Sequence, residues 1–220
     1  MKKGGGIFIL NVLIKFLSVS LSFVINFMVI RLLPVHEYGK YSYLFYIVQL
    51  ISLPSVLLND KIITKYSPKL AGENDYKFNL FNLKVLLVLV LVPCLGLFFL
   101  DVSIYTKLLI AIFSLSLALT SYLSIILNVS KKLIKGFIVS SLSRQVILFA
   151  IVSIVFFSAS TLSFKELLEY NFLSSIVVVV FVLFLFFKFP SKFIFFEKIT
   201  RDQITWIKYA SFILIFGLSN

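Results

Sequence analysis

Cysteine, histidine and acidic residues are all scarce in this chain, and each scarcity removes a class of function. The single cysteine, Cys94, rules out an internal disulfide and any multi-cysteine metal site. The single histidine, His36, stands in a short connection beside Glu37 with no nucleophile or orienting partner near it in sequence, so acid–base catalysis has no evident centre. The nine acids lie outside or at the ends of the apolar runs. "KKGGG" at Lys2 to Gly6 lacks the spacing and terminal Lys-Ser/Thr of a phosphate loop. These absences predict a protein that is not an enzyme and needs neither a metal nor a cofactor.

What is present is apolar. Hydrophobic residues make up 60% of the 220, Phe occurs 26 times, and mean hydropathy is +1.08, far outside soluble composition. Stretches near the ~20 residues needed to cross a bilayer as a helix recur at about 7–30, 41–59, 85–100, 108–128, 137–158 and 172–187. Alternation of period two is absent, so backbone groups in lipid must be satisfied within helices. The expectation is an all-α polytopic membrane helix bundle with six complete transmembrane helices and the start of a seventh. Its parts are a six-helix lobe over 1–187, a basic linker over 188–205 and a first, truncated helix of a second lobe over 206–220. The N-terminus imitates a secretory signal, but Lys15 interrupts it and no small-x-small site closes it, so the first helix is expected to be retained.

The 21 Lys and Arg are unevenly placed. Sixteen fall at the N-terminus or in the second, fourth and sixth connections, Arg144 being counted with the fourth. The first, third and fifth carry only Arg31, Lys40, Lys107 and Lys165. The positive-inside rule therefore predicts a cytoplasmic N-terminus. The net charge of +12 is a topology signal rather than a nucleic-acid-binding face, and no nucleic-acid partner is expected.

Polar residues inside the spans are the candidate site. On helix 1, Asn11, Lys15, Ser18, Ser22 and Asn26 fall within about 80° at 100° per residue. Helix 2 repeats the pattern with Tyr38, Ser42, Gln49, Ser52 and Asp60, and helix 4 has a looser version in Ser114, Ser121, Ser124 and Asn128. Small hydroxyl residues on one face mark either close helix packing or a water-filled cavity. The company of Lys, Gln and Asn favours the cavity, since Lys at a helix centre in lipid costs about 3 kcal/mol. Lys15, about 12 Å from Ile7, is also near enough to snorkel to the surface. Arg144 and Gln145 either begin a shorter helix 5 or face the bundle interior. Pro54 and Pro93 mark either a moving kink or a static one. Helix 6, "IVVVVFVLFLFF" from Ile176 to Phe187, has no polar residue and reads as lipid-facing.

"IKYASFILIFGLSN" from Ile207 aligns without gaps on "IKFLSVSLSFVINF" from Ile14, pairing Lys208 with Lys15. Six helices separate the copies, so both would run outward, as in a parallel repeat. "RLLPVHEYGKYSY", with Arg31, Leu33, Pro34, Glu37, Tyr38, Gly39 and Tyr41, and the basic exit of helix 2 at Lys65 and Tyr66 then resemble the polysaccharide transporters of the multidrug/oligosaccharidyl-lipid/polysaccharide flippase superfamily, the Wzx-type flippases. Near Asn59 the family often has Gly, and here the chain has Asn-Asp. The resemblance implies movement of undecaprenyl-pyrophosphate-linked oligosaccharide across the bacterial cytoplasmic (inner) membrane for O-antigen or other surface polysaccharide. It also implies alternating access between two lobes, with membrane lipid, the lipid-linked oligosaccharide and a second transmembrane lobe as partners. Substrate-path candidates are Lys15, Asn11, Ser18, Ser22, Asn26, Arg31, Gln49, Arg144 and Lys208. The alternatives are a drug or cation exporter of the same superfamily, which would want an intramembrane carboxylate, and a non-transporting assembly subunit or remnant.

Overall fold

The computed structural model describes residues 3–66, 73–129, 133–158 and 162–186, and within them the chain is a bundle of helices with no strand. The expected linker 188–205, the expected helix 206–220 and Lys208 lie outside the described residues. The helices are α1 (Lys3–Leu32), α2 (Val35–Tyr66), α3 (Glu73–Cys94), α4 (Ile104–Val129), α5 (Leu133–Phe137), α6 (Ser143–Phe157) and α7 (Phe164–Phe186). α5 and α6 are joined end to end by a π-helical turn, Ile138–Leu142, and form one rod. Among the described residues six segments are long and apolar enough to cross a membrane, as a multi-pass membrane protein requires.

Local chemistry sets the ends. Pro34 opens α2 because it has no N–H to leave unsatisfied, and its carbonyl accepts the Tyr38 amide at 3.0 Å. Pro93 falls in the last turn of α3, beyond which the chain tightens into a 3₁₀ turn, Leu95–Phe99, and leaves the helix at Leu100. α7 begins on a capping box: Ser163 donates its amide and hydroxyl to Glu166 Oε2, both at 2.8 Å, while the Glu166 amide turns back to Ser163 Oγ at 3.3 Å.

α4 is the central helix, packed most extensively on α2 and α7. Three of its buried hydroxyls close onto its own backbone, Ser114 on the Ile110 carbonyl, Ser116 on Phe113 and Thr120 on Ser116, each at 2.8 Å. These three hydroxyl residues serve packing. The main core gathers Val48, Ile62, Phe78, Leu86, Val90, Ile110 and Phe113, all fully buried. A second cluster joins the far half of α1 (Ile25, Val29) and Leu33 just beyond it to Leu148 and Val152 of α6 and Leu167 of α7. In lipid such cores are held by van der Waals fit rather than by water exclusion, so close approaches matter. One is Gly136, where an added Cβ would collide with the Asn128 side chain and come to 2.9 Å from the Ser124 carbonyl oxygen. Ser124 Oγ donates to the Gly136 carbonyl at 2.8 Å across the same contact.

Three sequence expectations change. The apolar run of α7 is not lipid-facing all round: Val178 and Val182 are buried in the main core, whereas Val177, Val180, Phe181 and Phe184 are exposed. Asp60 is not at a helix end, because α2 continues to Tyr66 and carries it inside by more than a turn. Arg144 is not a connection charge, since the π turn and α5 precede it within the same rod.

The first, third and fifth connections meet at one end of the bundle. The Leu162 amide donates to the Leu32 carbonyl at 3.5 Å, the Phe164 amide to Glu37 Oε2 at 3.2 Å, and the Tyr105 hydroxyl to Glu169 at 2.8 Å. At the opposite end the Tyr122 hydroxyl reaches the Asn79 carbonyl at 2.7 Å, and Gly136 meets Asn128.

Candidate functional site

α1 and α2 share a tight turn but otherwise scarcely touch: α1 packs on α6 and the π turn, whereas α2 packs on α4 and α3. The gap between them is a cavity of about 380 Å³. α1 contributes Ser22, Ile25, Asn26 and Val29. α2 contributes Tyr38, Tyr41, Ser42, Phe45, Tyr46 and Gln49, α6 contributes Arg144, Gln145 and Leu148, and α7 contributes Asn171. Spacings of three and four on α1, α2 and α6 turn these residues to a common side.

Arg144 is its centre. Ten residues separate it from Ile134, where its span begins, which is about 15 Å at 1.5 Å per residue, half the ~30 Å depth of a hydrocarbon core. Its guanidinium carbon lies 5.9 Å from the centre of the Phe45 ring. Nη1 is buried and has no hydrogen-bond partner among the described residues. A planar cation with five donors is thus held by an aromatic face and left with donors unused, beside a cavity whose lining, among the described residues, includes no Asp or Glu.

The opposite wall is hydroxylated and braced. Asn171, almost fully buried, donates from Nδ2 to the Tyr41 hydroxyl at 3.0 Å and to the Leu167 carbonyl at 3.1 Å. The Tyr41 ring stacks on Phe45 with centroids 5.7 Å apart and planes 21° apart. Asn171 therefore sets Tyr41, Tyr41 supports Phe45, and Phe45 carries Arg144.

Of the sequence candidates, Ser22, Asn26, Gln49 and Arg144 come together here. Asn11, Lys15 and Ser18 do not line the cavity. They continue the α1 stripe toward the other end, where Ser18 Oγ donates to the Ser141 carbonyl of the π turn at 2.6 Å and the Lys15 ammonium sits 5.4 Å from the Phe137 ring centre. Asn11 Oδ1 is buried without a partner among the described residues. One stripe thus does two jobs, packing over its first half and lining a cavity over its second. Arg31 is exposed, 4.6 Å over the Phe27 ring, and also lies outside the lining. The helix 2 stripe divides as well. Tyr38, Ser42 and Gln49 line the cavity, Ser52 turns to its own backbone at Gln49, and Asp60 lines a separate pocket of about 220 Å³ with Ser121, Ser124 and Ser140.

Tyr46 and Asn171 belong to the site without having been singled out from sequence, Tyr41 enters the sequence reading only within the "RLLPVHEYGKYSY" run, and Gln145 only beside Arg144. Asn171 was legible only with the true start of α7, since hydropathy places that helix at residue 172 and leaves Asn171 in the connection. At Gly39 of the "EYGKY" run an added Cβ would meet nothing within 4 Å, so packing does not demand glycine there. No group of three or more metal-ligating side chains occurs among the described residues. No family model, curated protein or solved structure matches the chain.

Proposed function

We propose that this chain is a lobe of a flippase that carries a polyprenyl-diphosphate-linked oligosaccharide across the bacterial cytoplasmic membrane, with its N-terminus in the cytoplasm and the Arg144 cavity as part of the path. The observation that supports it most is a mid-depth guanidinium with an unused donor, facing a cavity walled by hydroxyl and amide side chains and containing no carboxylate. A diphosphate leaving water needs charge-assisted donors, which guanidinium supplies in a two-pronged form. Sugars need hydroxyl and amide partners, which Ser22, Asn26, Ser42, Tyr46, Gln49 and Gln145 supply. A drug or cation exporter fits this lining poorly, because a cation would face Arg144 with no acid to receive it. Movement across the bilayer would require a second lobe to rock against, the partner that the Lys15 and Lys208 repeat suggests. The uneven placement of Lys and Arg supports the assigned orientation.

The test is capture in place. A photo-crosslinking residue at Gln49 or Asn26, in cells that make a lipid-linked oligosaccharide, is expected to yield an adduct carrying that glycan. Adducts with phospholipid alone at both positions would contradict the proposal.

A further inference from the structure

A second cavity, of about 310 Å³, lies at the end of the bundle where the first, third and fifth connections meet. Lys40 of α2, Asp101 and Ser103 ahead of α4, Thr106 within it, and Phe164 and Lys165 at the start of α7 line it. Two cations from different helices converge on one aromatic ring there, with the Lys40 and Lys165 ammonium groups 5.7 and 6.0 Å from the Phe164 centroid. Lys40 is 3.8 Å from Glu37, whose half-buried carboxylate also accepts the Phe164 amide, so Lys40 is shared between that carboxylate and the cavity, and neither Lys165 nor Asp101 has an ion pair among the described residues. In the chain segments that flank Asp101 and Ser103, the side chains of Phe98, Phe99, Ile104 and Leu108 are exposed, as acyl-chain contact requires.

We propose that this cavity holds the headgroup of an aminophospholipid, with the phosphate against Lys40 and Lys165 and the primary ammonium against Asp101. The chemistry of the lining selects that class. An anionic glycerol headgroup would satisfy the lysines but leave Asp101 facing a second anion. A choline headgroup has the right charges but no N–H to donate to the carboxylate, whereas a primary ammonium donates three. A headgroup carrying both signs a few bonds apart meets a lining that carries both signs within one cavity. The Ser103 and Thr106 hydroxyls, 2.9 Å apart, already share a hydrogen bond and leave lone pairs and one further proton for the ligand. The site is separate from the Arg144 cavity and does not depend on what that cavity transports.

Native mass spectrometry of the detergent-purified chain tests this with phosphatidylethanolamine, phosphatidylcholine and phosphatidylglycerol of identical acyl chains in competition. Phosphatidylethanolamine should be retained over either competitor by on the order of tenfold, the scale of one charge-assisted hydrogen bond. Asp101→Asn should erase its advantage over phosphatidylcholine. Lys40→Gln with Lys165→Gln should lower its retention by a similar factor, while Lys40→Arg with Lys165→Arg should keep it, which separates lost charge from lost folding. Equal retention of the three lipids, phosphatidylglycerol bound best, or an undiminished preference in Asp101→Asn would overturn the proposal.

Discussion

Arg144 sits at mid-depth with a buried donor unmet, an arrangement that costs stability and that a purely structural residue would not need. Replacing a lone buried polar group by an apolar one of similar volume removes that cost. Arg144→Met should therefore raise the resistance of the purified chain to thermal unfolding in detergent, by about 1–2 kcal/mol. A clear loss of stability would mean that the guanidinium is held by bonds the cavity is not expected to supply. Asn171→Ala should act in the opposite sense, lowering stability by about 1 kcal/mol or more, because it leaves the Tyr41 hydroxyl without its donor and loosens the stack under Arg144. Thermal unfolding of the two variants side by side checks both signs. At this scale the sequence was partly legible. Periodicity on α1 and α2 found Ser22, Asn26 and Gln49, but it could not separate Asn11, Lys15 and Ser18 from them, because one angular stripe runs the whole helix while its neighbour changes along the way from the π turn to an open gap. Lys15→Gln is accordingly expected to weaken substrate binding much less than Arg144→Gln.

Among the elements, the geometry of the α4–α5 joint turns on the absence of a single Cβ. Gly136→Ala would force the Ser124 backbone or the Asn128 side chain aside, and overpacking of this kind typically costs about 1–3 kcal/mol. The expected result is a lower unfolding temperature with helix content retained, read by circular dichroism. An unchanged melting profile would show that α5 can shift away from α4 at no cost. Nothing in the sequence marked this glycine, since it follows Lys135 in what reads as the end of a connection. The helix count was readable because a run of some 20 apolar residues has few other fates, yet the helix ends were not. α2, α3 and α7 each extend beyond their hydropathy windows into polar residues, whose backbone bonds hydropathy does not register. That is how Asp60 and Asn171 were misplaced.

For the whole molecule, the odd connections gather at one end, and the sequence puts only four of its cations there. With Cys94 replaced by Ala, cysteines introduced at Glu37 and Glu166 should react with an impermeant maleimide added to intact cells, whereas cysteines at Gly4 and Lys135 should react only after lysis. The reverse pattern would invert the assigned orientation and, with it, the direction of any transport. The functional claim rests elsewhere, on a cation in a polar cavity between two helices that part after their shared turn. Its most direct measurement is the affinity of the purified chain in nanodiscs for a polyprenyl-diphosphate-linked sugar, compared between the native chain, Arg144→Lys and Arg144→Gln. Loss of a charge-assisted contact worth about 1.5–3 kcal/mol predicts binding at least tenfold weaker in Arg144→Gln, an intermediate value in Arg144→Lys, and no competition from a lipophilic cation. Equal affinity in all three, or displacement of the diphosphate lipid by the cation, would contradict it.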